Sequence, residues 1–183
     1  LIKGMAVDRP SMVWQSDITY IPIGGRHYYA VFIIDVYTKK IVGHKVSDNM
    51  RAQANMDALN RALNENAAPM YHHSDRGSQY TYKGYIDLLK KNGSRISMAL
   101  SAQDNAYAER INRTIKEEYL DHWRPKDFGQ LKRMTAKAVK NYNSKRLHNN
   151  NNRMSPEKFI GQFPLLRPQQ RKLMTIFDNQ LVN

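Results

Sequence analysis

Apolar residues come first in short dense runs and later at helical spacing, and the change of period lays out the fold. Residues 12–23 and 27–36 read as two strands joined at Gly24-Gly25, a dipeptide that supplies the positive φ of a tight hairpin. A third strand is predicted at residues 40–46. The stretch 28–34 is apolar on both faces, which suits a strand sandwiched between helical layers better than one facing water. Residues 51–65 supply a first helix, with Ala52, Met56, Leu59 and Leu63 as its stripe and Asp48 or Asn49 as its cap. After Pro69 come a short buried strand at 70–74, a helix at 82–91 that Thr81 could cap and Gly93 could end, and another short strand at 95–98.

A long helix is predicted over residues 104–119 and an amphipathic one over 127–142, with Phe128, Leu131, Met134, Ala138 and Tyr142 on one face. Ser155 and Pro156 are placed to cap and open a final short helix, and the tail 161–183 has no clear pattern. This order predicts an α/β fold, a mixed sheet with helices on both faces.

Composition narrows the functional classes. The 183 residues can bury one substantial core. Lys and Arg outnumber Asp and Glu by 29 to 16, a net charge of +13 that favours a polyanionic partner held by counterion release. No cysteine occurs, which removes disulfides, thiolate zinc sites and cysteine nucleophiles together. No apolar run is long enough to span a bilayer as a helix, and a soluble, cytoplasmic, nucleoid-associated protein is expected.

Against that basic background three carboxylates stand out. Asp17 falls inside the first strand, Asp75 at the carboxyl end of the strand 70–74, and Glu109 in the first turns of the helix 104–119. Hard oxygen donors from separate elements suit magnesium, which takes one or two carboxylates and completes its shell with water and phosphate oxygens. On that helix Ala108, Ile111 and Ile115 form a packing face, while Asn112, Arg113 and Lys116 follow Glu109 at three, four and seven residues. Blander roles exist for each acid: an edge or turn residue for Asp17, an Asx turn into Arg76-Gly77-Ser78 for Asp75, and a salt bridge to Arg113 for Glu109. His72 and His73 beside Asp75 suggest zinc, but neighbours on a strand point to opposite faces, so zinc is rejected.

Longer blocks resemble the catalytic core of insertion-sequence transposases in the DDE integrase superfamily. They are Trp14-Gln15-Ser16-Asp17-Ile18-Thr19-Tyr20, Phe32-Ile33-Ile34-Asp35, His73-Ser74-Asp75-Arg76-Gly77-Ser78-Gln79-Tyr80 and Asp104-Asn105-Ala106-Tyr107-Ala108-Glu109-Arg110. Lys116-Glu117-Glu118, Tyr142-Asn143, Arg146, His148 and Ser155-Pro156-Glu157 extend the match. The resemblance implies a ribonuclease-H-like, mixed five-stranded sheet in which Asp17, Asp75 and Glu109 bind two Mg²⁺ or Mn²⁺ ions. It implies DNA cleavage at transposon ends and strand transfer into target DNA, by a homo-oligomer of at least two copies. Asn105, Asn112, Arg113 and Lys116 are carried over as DNA contacts.

The same resemblance divides the chain into a linker at 1–11, a catalytic core at 12–146 and an extension at 147–183. There are departures. The loop 99–103 is shorter than is usual between the second and third acids, and the polar run 149–152 replaces an apolar stretch. The helix-turn-helix region that precedes this core in the family does not occur in these residues, so a fragment of a larger protein with weak end recognition is expected. Two alternatives share the fold: a catalytically silent DNA-binding or assembly module, and a ribonuclease-H-like nuclease without strand transfer.

Overall fold

A computed structural model of the chain describes residues 2–100 and 102–176. Its elements in chain order are β1 (Ala6–Val7), β2 (Val13–Ile23), β3 (Arg26–Asp35), β4 (Ile41–Ser47), α1 (Ala52–Glu65), β5 (Tyr71–Ser74), α2 (Ser78–Thr81), α3 (Lys83–Lys91), β6 (Arg95–Met98), α4 (Ala106–Ile115), α5 (Asp121–Trp123), α6 (Phe128–Ser144), α7 (Pro156–Gln162) and β7 (Met174–Thr175). Five strands form one mixed sheet in the order β4-β3-β2-β5-β6. β3 runs antiparallel to both β2 and β4, and β5 joins β2 in parallel with Ser16 opposite Ser74. Gly24 and Gly25 both take positive φ, 56° and 78°, in the hairpin between β2 and β3.

Alternation along β3 builds two cores. Ala30, Phe32 and Ile34 face α4 and α6 and pack with Ala108, Ile111, Ile115, Leu131, Ala138 and Tyr142. Val31 and Ile33 point the other way, with Trp14, onto Ala54, Ala58, Leu59, Ala62, Tyr80, Tyr85 and Leu89. The sheet is therefore covered on both faces, as the apolar strand β3 requires.

Some local expectations are corrected. α1 has Arg51 as its N-cap with no side-chain cap, and Asn49 instead accepts a hydrogen bond from the Arg51 amide at 3.0 Å. Its buried stripe is Ala54, Ala58, Leu59 and Ala62, rotated from the predicted one. The cause lies across the interface, where a Cβ on Gly43 would collide with the Ala58 carbonyl oxygen, so only small residues fit the close approach of α1 to β4. Thr81 does not cap α3, because it ends the separate turn α2. The long helix predicted at 104–119 breaks into a 3₁₀ start at Ala102–Asn105, α4, and a π-helical turn at Lys116–Leu120. Asp127 and Ser155 cap α6 and α7 by accepting from Gln130 and Lys158.

The segments before β2 and after α6 meet each other. β1 pairs antiparallel with β7, and Ile2, Val7, Val13, Tyr37, Phe159, Met174 and Ile176 share a third apolar cluster. Asn143 ties α6 to the sheet edge: its Nδ2 donates to the Ile41 carbonyl and its Oδ1 accepts from the Ile41 amide, both at 2.9 Å. Asp35, though buried, is a turn residue rather than a site residue. Its carboxylate accepts from the amides of Ser11 and Thr38 at 2.6 and 2.8 Å and from the Thr38 hydroxyl at 3.0 Å. The predicted tail from residue 177 onward lies outside the described residues, as does residue 101 in the shortened loop 99–103.

Candidate active site

The sheet register brings two of the acids side by side. Ser16 and Ser74 are partners on adjacent parallel strands, so Asp17 and Asp75 are the next residues along each, at the point where β5 ends. Crevices outside the carboxyl ends of parallel strands are where open sheets build sites. Tyr80 supports this end from the α1 side through a hydrogen bond of 2.9 Å between its hydroxyl and that of Ser16.

The third acid arrives on α4, and β2 itself holds that helix. Gln15, fully buried, accepts through Oε1 from the amides of Tyr107 and Ala108 at 3.1 and 3.4 Å, two of the free N–H groups that open a helix. Its Nε2 donates to the Asp104 carbonyl at 3.5 Å. Asn105 Nδ2 donates to the Ser16 carbonyl at 3.0 Å, and Asn112 Nδ2 donates to Asp17 Oδ2 at 2.8 Å. Consecutive residues of β2 thus fasten the start and the first turns of α4, and Glu109, three residues before Asn112, shares its face.

Asp17, Thr19, Glu109, Asn112, Arg113, Lys116 and Glu117 line a cavity of about 300 Å³. Asp75 lies outside that lining, exposed, with Oδ1 accepting from the Gly77 amide at 2.9 Å, so its Asx turn is real. Its charge still reaches Asp17. The Asp17 carboxyl is pushed up to about 6, first by burial and then by the charges of Asp75 and Glu109, against the Ile18 amide and the Asn112 side chain. Glu109 forms no ion pair with Arg113 among the described residues.

The four expected DNA contacts separate by exposure. Arg113 is exposed and Lys116 half-buried at the cavity rim. Asn105 and Asn112 are 3% and 6% exposed; Asn105 lies beneath the site, while Asn112 is part of the cavity lining. Their side-chain Nδ2 groups donate to β2, to the Ser16 carbonyl and to Asp17. Gln15 is a site-building residue that sequence reasoning missed. Its only signal is membership of the block around Asp17.

The histidines are structural. His72 Nε2 meets the Tyr85 hydroxyl at 3.0 Å and burial lowers its pKa to about 3, while His73 Nδ1 pairs with the Ser97 hydroxyl at 2.9 Å. Among the described residues no three His, Asp or Glu side chains converge tightly enough to enclose an ion by themselves. On the far side of α4, Arg146 grips Glu118 through two hydrogen bonds of 2.7 and 2.6 Å. Glu118 lies within the π-helical turn.

Comparison with known proteins gives the family. A family model described as the integrase core domain matches residues 7–102, and a second of the same description matches residues 95–156. The chain belongs to the integrase core domain family. It is 36% identical over 148 residues to the transposase for insertion sequence element IS629 of Shigella sonnei, covering 79% of this chain and 50% of that protein. To the transposase for insertion sequence element IS904 of Lactococcus lactis subsp. lactis (strain IL1403) it is 32% identical, over 82% of this chain and 61% of that protein. It spans about half the length of the first relatives it matches.

Among solved structures, the HTLV-2 integrase catalytic core domain in complex with magnesium superposes with a TM-score of 0.69 at 16% identity, over 82% of this chain and 96% of that one. The catalytic core domain of BIV integrase gives 0.66 at 17%, over 85% and 97%. The integrase core shares the ribonuclease-H-like sheet expected from the sequence, and at these identities the likeness is one of fold.

Proposed function

We propose that this integrase core breaks and joins DNA phosphodiesters with divalent ions held by Asp17, Asp75 and Glu109. The observation that carries this reading is the state of Asp17: half-buried, crowded by two like charges and oriented by Asn112, beside Arg113 and Lys116. Such crowding disfavours ionisation, and a bound cation reverses it. The donor set is all oxygen, which fits Mg²⁺ or Mn²⁺, ions that take a few carboxylates and complete their shells from water and substrate phosphate. When bound, paired ions supply Lewis acidity at the scissile phosphate and activate the attacking hydroxyl.

The chain's own residues do the rest. Asn112 fixes the Asp17 carboxylate, Gln15 and Asn105 fix the helix that presents Glu109, and Arg113 and Lys116 hold the phosphates on either side. The relatives named as transposases of insertion sequences support transposon ends and target DNA as substrates, in the bacterial cytoplasm. Solved neighbours described as dimeric, trimeric and intasome forms support a homo-oligomer of at least two copies on DNA. In this reading residues 12–146 carry the chemistry, and 1–11 and 147–183 flank it.

The test is ion-dependent cleavage of a labelled DNA end. Asp17→Ala, Asp75→Ala and Glu109→Ala should each abolish it while the fold persists, and activity retained in any of them refutes the assignment. Joined products from a pre-cut end and a target duplex distinguish a transposase from a hydrolase.

A further inference from the structure

Beyond the carboxylate cavity, a second depression of about 580 Å³ runs from the β2–β3 hairpin tip to the turn after α5. Its lining combines apolar Ile21, Ile23, Leu120 and Pro125 with three cations, Lys116, Arg124 and Lys126, against a single acid, Asp121. Lys116 lines both depressions, so the groove begins where the carboxylate cavity ends.

The wall of the groove is built from irregular backbone. Lys116–Leu120 is the π-helical turn, and Arg124 is left-handed at φ 48° with its amide donating to the Leu120 carbonyl at 2.8 Å. π turns and left-handed non-glycine residues are retained where the surrounding structure needs them, often at functional sites. Here both lie along the lining of the groove.

We propose that this groove takes an unpaired nucleotide of the DNA strand that leaves the carboxylate cavity. The inference rests on the function proposed above. A paired duplex offers phosphates to cations but has its bases stacked away from any apolar lining. An unpaired nucleotide uses both features at once, its base packing on Ile23 and Pro125 and its phosphates lying along Lys116, Arg124 and Lys126, a basic track beside a base-packing surface that is here aliphatic rather than aromatic. The volume is within the usual range of about 300–1,000 Å³ for a small-ligand pocket.

The experiment measures anisotropy of two labelled DNAs with Ca²⁺ in place of Mg²⁺: a blunt duplex, and the same duplex with a short unpaired end. The wild-type protein, Ile23→Thr and the double variant Arg124→Gln/Lys126→Gln are compared across a salt series, with thermal melts to check folding. The wild type should prefer the frayed end. For that probe the double variant should lower the slope of log affinity against log salt by about 1.4, from roughly 0.7 per single-strand phosphate contact. Ile23→Thr should lower frayed-end affinity severalfold and leave the slope alone, and both variants should bind the blunt duplex like wild type. Equal wild-type affinity for the two probes, or variants that bind the frayed end normally, overturn the inference and leave the cleavage assignment standing. Loss of self-association in the variants with DNA binding intact overturns it in favour of a second copy as occupant. A wild type that binds neither DNA overturns the inference together with the function on which it rests.

Discussion

Asn112 donates from Nδ2 to Asp17 Oδ2 at 2.8 Å, joining residues 95 positions apart and locking α4 to the central strand at the site itself. A hydrogen bond to a charged group contributes about 1.5–3 kcal/mol, so Asn112→Ala should slow ion-dependent DNA cleavage roughly ten- to a hundredfold. Single-turnover rates at saturating Mg²⁺ check this. An unchanged rate would mean that the bond serves only the fold.

Gln15 should matter first for stability. Gln15→Leu leaves the part-buried Tyr107 amide and the buried Ala108 amide without their acceptor, and should cost about 1–3 kcal/mol in urea unfolding. Gln15→Glu keeps the acceptor. Protonating the carboxylate that this substitution introduces would also restore a donor, so the variant should be closer to wild type at pH 5 than at pH 8.

Lys39 gives a pH dependence with a definite sign. Its Nζ is buried against the Val36 carbonyl at 2.6 Å and lies 4.1 Å from the centre of the Tyr107 ring. Burial, and then Lys172 and Arg110, lower its pKa from 10.5 to about 7 against the pull of Asp35. Unfolding between those values takes up a proton, so this contribution is fully present above pH 10.5 and is lost as pH falls towards 7. The stability difference between Lys39→Met and wild type, followed by urea unfolding, should grow in favour of the variant across that interval. A constant difference would show that the amine is not desolvated.

Gly43→Ala should destabilise by about 1–3 kcal/mol through overpacking. The collision is with the backbone carbonyl of Ala58, so trimming Ala62 to glycine should not rescue it. Melting of the single and double variants decides between backbone and side-chain clash.

Much of the sheet was legible because its signals are local. Gly24-Gly25 announces the hairpin, and residues 95–98 bound the last strand as observed. What escaped depends on distant partners. The stripe of α1 is set by Gly43 on another element, the π turn holds the Glu118 that Arg146 grips from 28 residues away, and β1 is set by a partner strand near residue 174. At the site, acid positions could be read from motifs. The inward aim of Asn105 and Asn112 could not, because an asparagine on a helix carries no mark of whether it faces solvent or a neighbouring strand.

The Asn143 amide has a consequence for assembly. By occupying both outward-facing main-chain groups of Ile41, it blocks the beginning of the outermost strand from zippering onto another chain. A strand from another chain therefore cannot take hold at that corner of the sheet.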